Sequence, residues 1–264
     1  LSESRLDRTW AALRQEGRTA LVPYLTAGHP DLARSEAMLR AADEIADILE
    51  IGVPFSDPLA DGPVIQRATF QALAQGMTLA RTLELVDRVS PRQPVVIFSY
   101  LNPILQYGIE RFLADAHQLG IAGLLLTDLP AGGDPAIEGT VQSSPLDLIR
   151  LIAPTTTDVR LAEAAAGAQG FLYLVARLGV TGASQQLAAD LAGQVARVRA
   201  VTALPIAVGF GISTPEQAGA VGRMADGVVV GSALVDRLDR EGPAAAAALL
   251  ASLRQALDQC VVAR

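Results

Sequence analysis

Short apolar runs alternate with longer segments of helical period along the whole chain. The runs at 20–25, 48–52, 94–99, 123–127, 147–152, 170–175, 205–209 and 227–230 carry little polarity on either face. That is the pattern of strands buried on both sides in a parallel sheet. Between them, 31–44, 64–74, 79–89, 109–119, 159–166, 187–200 and 215–221 repeat apolar residues at helical spacing. A last Ala/Leu-rich helix is predicted over 243–257, and an extra helix ahead of the first strand, around Trp10 and Leu13. Helix-start signals agree, with Thr214-Pro215-Glu216 and Asp158 placed as caps or first-turn residues. Strands each followed by a helix, with no linker-like stretch, predict an α/β fold: one (β/α)8 TIM barrel spanning residues 1–264. A doubly wound open sheet is the alternative, because a strand count does not prove closure.

Composition narrows the chemistry. Half of the 264 residues are hydrophobic and 19% are charged, which fits a globular core. A net charge of -7 argues against nucleic acid or an anionic membrane as partner. The single Cys260 forms no internal disulfide, the first residues lack an apolar signal core, and no apolar run is long enough to span a bilayer. The expected location is the cytoplasm. The sequence contains no lysine, so neither a Schiff-base aldolase nor a covalently held pyridoxal phosphate is expected here. His29 and His117, read as surface residues, have no metal-ligand spacing, and no metal site is expected.

The densest chemistry lies in the second strand and its loop, 48–63. A two-residue period puts Ile48 and Glu50 on one face and Leu49 and Ile51 on the other. Glu50 therefore sits within an apolar strand, where burial raises a carboxyl toward the range of proton transfer. Asp61 follows in a Pro/Gly-punctuated loop. Each residue alone also fits a structural role, Glu50 answered by a buried partner and Asp61 solvated. Elsewhere the strand ends carry Thr26, Tyr100, Gly209-Phe210-Gly211 and Gly231-Ser232. Glycine at the ends of the seventh and eighth strands, with a short helix from Ser232, points to a phosphate cradle. Phe98, Tyr100, Tyr173 and Phe210 offer walls for a flat apolar substrate, although periodicity alone reads Phe98 and Phe210 first as plain core.

The run Glu50-Ile51-Gly52-Val53-Pro54-Phe55-Ser56-Asp57-Pro58-Leu59-Ala60-Asp61-Gly62-Pro63 resembles the signature of the tryptophan synthase alpha chain family at every defined position. Further segments are similar: Tyr100 to Pro103, Asp128 to Pro130, Arg177 to Gly182 and Gly209 to Ile212. Departures occur at 44–47, one residue short and without Gly-Ala-Asp, at Ala131-Gly132-Gly133 in place of an acidic pair, and at Ala176 in place of Ser.

The resemblance implies retro-aldol cleavage of indole-3-glycerol phosphate into indole and glyceraldehyde 3-phosphate. Glu50 and Asp61 would be the catalytic carboxylates, with Tyr173 orienting Glu50 or the substrate. Tyr24, Thr26, Phe98, Tyr100, Thr181 and Phe210 would line the substrate, and Gly182, Gly211, Gly231 and Ser232 would hold its phosphate. Asp57 and Pro58 would meet a beta chain, in an alpha-beta-beta-alpha heterotetramer, and pyridoxal phosphate would reside only in that partner. Thr181 would close over the site. A stand-alone indole-3-glycerol phosphate lyase, a related barrel isomerase and a catalytically silent activating subunit are the alternatives.

Overall fold

The computed structural model describes residues 3–176, 184–209 and 211–260, and for 184–189 the backbone alone. Its strands are β1 (Ala20–Thr26), β2 (Leu49–Gly52), β3 (Val95–Ser99), β4 (Ile121–Leu126), β5 (Asp147–Ile152), β6 (Leu172–Val175), β7 (Ile206–Gly209) and β8 (Gly227–Val230). They pair in chain order, all parallel, and β8 returns to β1. The barrel is closed, so the open-sheet alternative falls. The helices before β4 are α1 (Arg5–Gln15), α2 (Leu32–Ile45), α3 (Pro63–Ala74), α4 (Leu79–Val89), α5 (Leu101–Tyr107) and α6 (Ile109–Gln118). After it come α7 (Pro135–Gln142), α8 (Asp158–Ala166), α9 (Ser184–Arg199), α10 (Pro215–Gly222), α11 (Ser232–Glu241) and α12 (Pro243–Asp258).

The alternation of side chains along each strand divides the core in two. Outward residues such as Leu21, Leu25, Leu49, Ile51 and Ile97 pack beneath the helices. Inward residues, among them Val22, Ile48, Val96, Ile149, Ala207 and Val229, fill the barrel. Apolar helix stripes cover the outside because strands polar on neither face must be buried on both. The interior is thereby apolar.

Helix α1 stoppers one end. Ser4 caps it in a reciprocal box with Asp7, and Ser4 Oγ also donates to Asp147 Oδ2 at 2.6 Å, at the start of β5. Leu6, Trp10 and Leu13 join the interior cluster, with the Trp10 and Phe171 rings 5.5 Å apart. Room for the indole depends on Gly227, where a Cβ would meet Trp10 at 2.8 Å. With the N-terminal end of the strands sealed, the opposite mouth is left for chemistry.

Helices α5, α7 and most of α11 differ from the sequence reading. Pro103 falls in the first turn of α5, where a missing N–H costs nothing, so a segment to which no element was assigned is helical. Helix α7 starts from Asp134 as N-cap with Pro135 following, within a Gly/Pro-rich stretch whose composition masks it. The stretch from Ser232, expected as a short helix, continues to Glu241.

The last helix is clasped to the start of the sheet. Asp47 Oδ2 accepts from Leu21 N at 2.8 Å and from Arg254 at 2.7 Å, and Arg254 also donates to the Thr19 carbonyl. Both side chains are buried, so each needs the other. We expect Asp47→Ala to cost about 3 kcal/mol, since it leaves the Leu21 N–H without its acceptor and takes from buried Arg254 one of its two carboxylates, the other being Asp258 at 2.8 Å. Urea unfolding measures this, and a loss below about 1 kcal/mol would mean that Asp258 alone satisfies Arg254.

Candidate active site

Glu50 points into the barrel, in register with Tyr24 on β1 and Val96 on β3. It is 1% exposed, and neither carboxyl oxygen has a hydrogen-bond partner among the described residues. Among the described residues nothing answers it, which speaks against a structural Glu with a buried partner. Burial, and then the charge of Asp61, raises its pKa to about 8. The acid is kept protonated at neutral pH by the apolar barrel around it.

Asp61 sits on the loop between β2 and α3, its N–H bonded to the Pro58 carbonyl at 3.1 Å. Tyr100, at the end of β3, donates its hydroxyl to Asp61 Oδ2 at 3.1 Å and accepts from Ala60 N at 2.9 Å. One phenol thus fixes both the carboxylate and the loop carrying it. Burial pushes Asp61 up to about 6, with the Tyr100 hydrogen bond opposing. The polar loop environment read from sequence is corrected here: Asp61 is mostly enclosed, and it ionises before Glu50 because its burial is less complete and a donor is present.

Tyr173 on β6 reaches across above Gly209, where a Cβ would meet its hydroxyl at 2.3 Å. Burial and the neighbouring Glu50 push its phenol well above the ordinary range, so it stays protonated. Tyr24 lies above Gly52 in the same way, with 2.0 Å between a built Cβ and its hydroxyl. Its ring meets Phe98 edge-on at 5.3 Å, and Thr26 Oγ1 donates to its oxygen at 3.4 Å. Phe55 joins Tyr100 at 5.1 Å between ring centroids. Glu50, Asp61, Tyr173, Tyr24, Thr26, Phe98 and Tyr100 are thus gathered at one mouth of the barrel.

On the other side of that mouth, α11 begins at Gly231 with no side-chain cap. The N–H groups of Ser232 and Ala233 precede any acceptor in their own helix and carry the positive end of its dipole. Gly211 has φ +80°, so its glycine is already explained by backbone conformation. Gly231 has no such constraint, and a Cβ there would only touch Tyr24 at 3.5 Å. Thr181, Gly182 and Phe210 lie outside the described residues.

Other expectations need correction. His29 is not a surface residue: it is 2% exposed, enclosed near α3 and α11, and burial lowers its pKa. His117 is exposed as read. Asp57 is exposed, but Pro58 is buried, and the exposed apolar side chain of this loop is Leu59, at 91%. Asp128, noted only within a motif, accepts from Leu101 N at 2.7 Å and so holds the start of α5 beside Tyr100. Among the described residues no group of His, Cys, Asp and Glu could hold a metal, and no helix is long and apolar enough to cross a membrane.

Two buried carboxyls that ionise in sequence, set among neutral phenols at the C-terminal mouth, define a (β/α)8-barrel enzyme of acid–base type. A family model described as tryptophan synthase alpha chain matches residues 10–261. The chain is 50% identical over 249 residues to the tryptophan synthase alpha chain of Gluconacetobacter diazotrophicus, covering 91% of each. It is 49% identical over 240 residues to that of Citrifermentans bemidjiense, covering 90% of each. Its fold is similar to tryptophan synthase subunit alpha from Legionella pneumophila, with a TM-score of 0.87, 36% identity and 97% and 98% of the two chains covered. A chain of tryptophan synthase from M. tuberculosis, in an open form, superposes with a TM-score of 0.88 at 37% identity, covering 97% and 99%. The chain belongs to the tryptophan synthase alpha chain family.

Burying Glu50 has a measurable cost. Its folded pKa of about 8 lies above its ordinary value of 4.5, so its contribution to stability is full below about pH 4.5 and is lost as pH rises through 8. Glutamine keeps the shape without the charge. We expect Glu50→Gln to melt above the wild type by a margin that grows from pH 4.5 to 8, reaching roughly 5 °C. Thermal scans across that range check it, and a margin independent of pH would mean that Glu50 is not titrating within the fold.

Proposed function

We propose that Glu50 and Asp61 together carry the cleavage of indole-3-glycerol phosphate into indole and glyceraldehyde 3-phosphate. The observation that carries this reading is the burial of Glu50 with no partner among the described residues, which leaves an acid with a proton to give to a substrate. Between about pH 6 and 8, Glu50 is protonated and Asp61 ionised, the pairing the reaction needs.

Glu50 gives its proton to C3 of the indole, which becomes tetrahedral, and the ring takes up a positive charge as an indolenine. Asp61 accepts the ring N–H and stabilises that charge in a site of low dielectric. The Glu50 carboxylate then takes the proton from the hydroxyl on the carbon attached to C3. That oxygen becomes the aldehyde oxygen as the carbon–carbon bond breaks, and the bonding pair returns to the ring. Indole and glyceraldehyde 3-phosphate leave, and Glu50 is protonated as at the start. Tyr173 holds Glu50 or the substrate between the two transfers. Tyr24, Thr26, Phe98, Tyr100, Thr181 and Phe210 enclose the indole and glycerol. Gly182, Gly211, Gly231 and Ser232 receive the phosphate, in our reading through backbone N–H groups such as those opening α11.

Proton transfer and charge stabilisation of this kind call for no cofactor in this chain. The partner is a beta chain that consumes the indole and binds pyridoxal phosphate, assembled as an alpha-beta-beta-alpha heterotetramer, and the complex works in the cytoplasm. Support for a partner surface comes from the loop between β2 and α3, where Asp57 and Leu59 are exposed a few residues from Asp61. Pro58 acts from within this loop, its carbonyl accepting from Asp61 N.

Indole release in single turnover tests the carboxylates. Glu50→Gln should lose at least about a thousandfold and Asp61→Asn about a hundredfold, with substrate still bound. Near-normal turnover by Glu50→Gln would sink the acid–base assignment. For the phosphate, Gly231→Val should weaken glycerol 3-phosphate roughly tenfold by calorimetry, because a branched side chain blocks the approach to α11. Unchanged affinity would place the phosphate elsewhere. Adding a beta chain should raise the rate, and the same rate with and without it would favour a stand-alone lyase.

A further inference from the structure

Tyr24 occupies a place that its assignment as a substrate wall does not explain. Its backbone pairs with Glu50, its Cβ lies beside Gly231 at the start of α11, and its hydroxyl lies above Gly52, toward the loop that bears Asp61. One side chain thus spans the distance from the phosphate end of the mouth to the reacting end. The ring is fixed against Phe98, and Gly52 leaves just the space the hydroxyl fills.

The hydrogen-bond inventory is asymmetric. Thr26 Oγ1 donates to the Tyr24 oxygen inside a buried pair, which occupies a lone pair and leaves the phenolic proton to find another acceptor. Among the described residues it has none. Asp61, for its part, receives only Tyr100 among the described residues, on Oδ2, which leaves its other oxygen without a described donor. The described groups that titrate around this pair are Tyr24 on β1, Glu50 on β2, Tyr100 after β3 and Tyr173 on β6, and no described cation acts on either carboxyl. The charge that acts most strongly on the Tyr24 phenol is Asp61, ahead of Glu50.

We propose that Tyr24 is a positioning residue: with its lone pair taken by Thr26, its hydroxyl donates to the ionised Asp61 carboxylate in the substrate-bound site and holds it toward the indole N–H. This rests on the role given above to Asp61. Two phenols then grip the carboxylate from the two strands that flank β2, Tyr100 fixing its loop from the end of β3 and Tyr24 drawing it inward from β1. Glu50 lies deeper and receives neither, so one acid remains protonated while the other is kept charged.

Tyr24→Phe keeps the ring against Phe98 and removes only the hydroxyl. Because a hydrogen bond to the charged form lowers a carboxyl pKa, its loss should raise the acid limb of kcat by about half a unit or more. Activity would then fall about threefold more at the foot of that limb than at pH 8. Thr26→Val should shift the limb the same way by less, and Tyr100→Phe should shift it at least as much. A uniform loss for Tyr24→Phe, with the limb unmoved while Tyr100→Phe moves it, would overturn the proposal and leave Asp61's role standing. If instead Asp61→Asn turns over at the wild-type rate with its acid limb intact, the reading of Asp61 itself fails and this proposal falls with it.

Discussion

A carboxyl group buried in the apolar interior of a closed barrel, without a partner among the described residues, is the constraint around which the rest of this molecule is arranged. Glu50 costs stability wherever it is ionised, and no cation or donor among the described residues offsets that cost. The surroundings are what such a residue requires if it is to remain an acid near neutral pH. Inward side chains are apolar, α1 stoppers the lower end, and the nearby phenols stay neutral. Relieving the burial with an arginine would stabilise the charged form and remove the proton the chemistry uses. Stability and function pull in opposite directions at this position.

Asp61 shows how a second carboxylate is given the opposite state within the same mouth. It is less completely enclosed, and a phenol at the end of β3 donates to it. Tyr100 in turn is held where Asp128 caps α5, immediately after it in the chain. A short helix with no chemistry of its own thereby sets the position of the group that stabilises charge. The glycines at 52 and 209 serve the same purpose, leaving space for the hydroxyls of Tyr24 and Tyr173 above the strands. Loop, helix start and strand glycine act as one support for two carboxyls.

Much of this was legible along the chain. The two-residue period of β2 by itself put Glu50 with Ile48, and both do face inward. Eight apolar runs matched the strands with end errors of at most two residues, reached at β6 and at β4, whose register with β3 shifts at Val95/Val96. What escaped depended on partners distant in sequence. His29 read as a loop residue because nothing local buries it; α3 and α11 do. Pro58 read as a surface turn, but the loop folds inward and exposes Leu59 instead. Helix α7 was hidden by glycine and proline although Asp134 and Pro135 carried its start signal. The pairing of Tyr24 with Thr26 and of Tyr100 with Asp61 has no signature in spacing, because each depends on where barrel closure brings the side chains.

The central claim is that burial, reinforced by the charge of Asp61, holds the proton on Glu50. Its carboxyl absorption is separable by infrared difference spectra between the wild type and Glu50→Gln, recorded across pH on the free protein. The account predicts a protonated carboxyl band that persists through neutrality and disappears with a midpoint near 8. A midpoint near the ordinary 4.5 would contradict it, for Glu50 would then be charged in the resting enzyme and could not be the group that delivers the first proton.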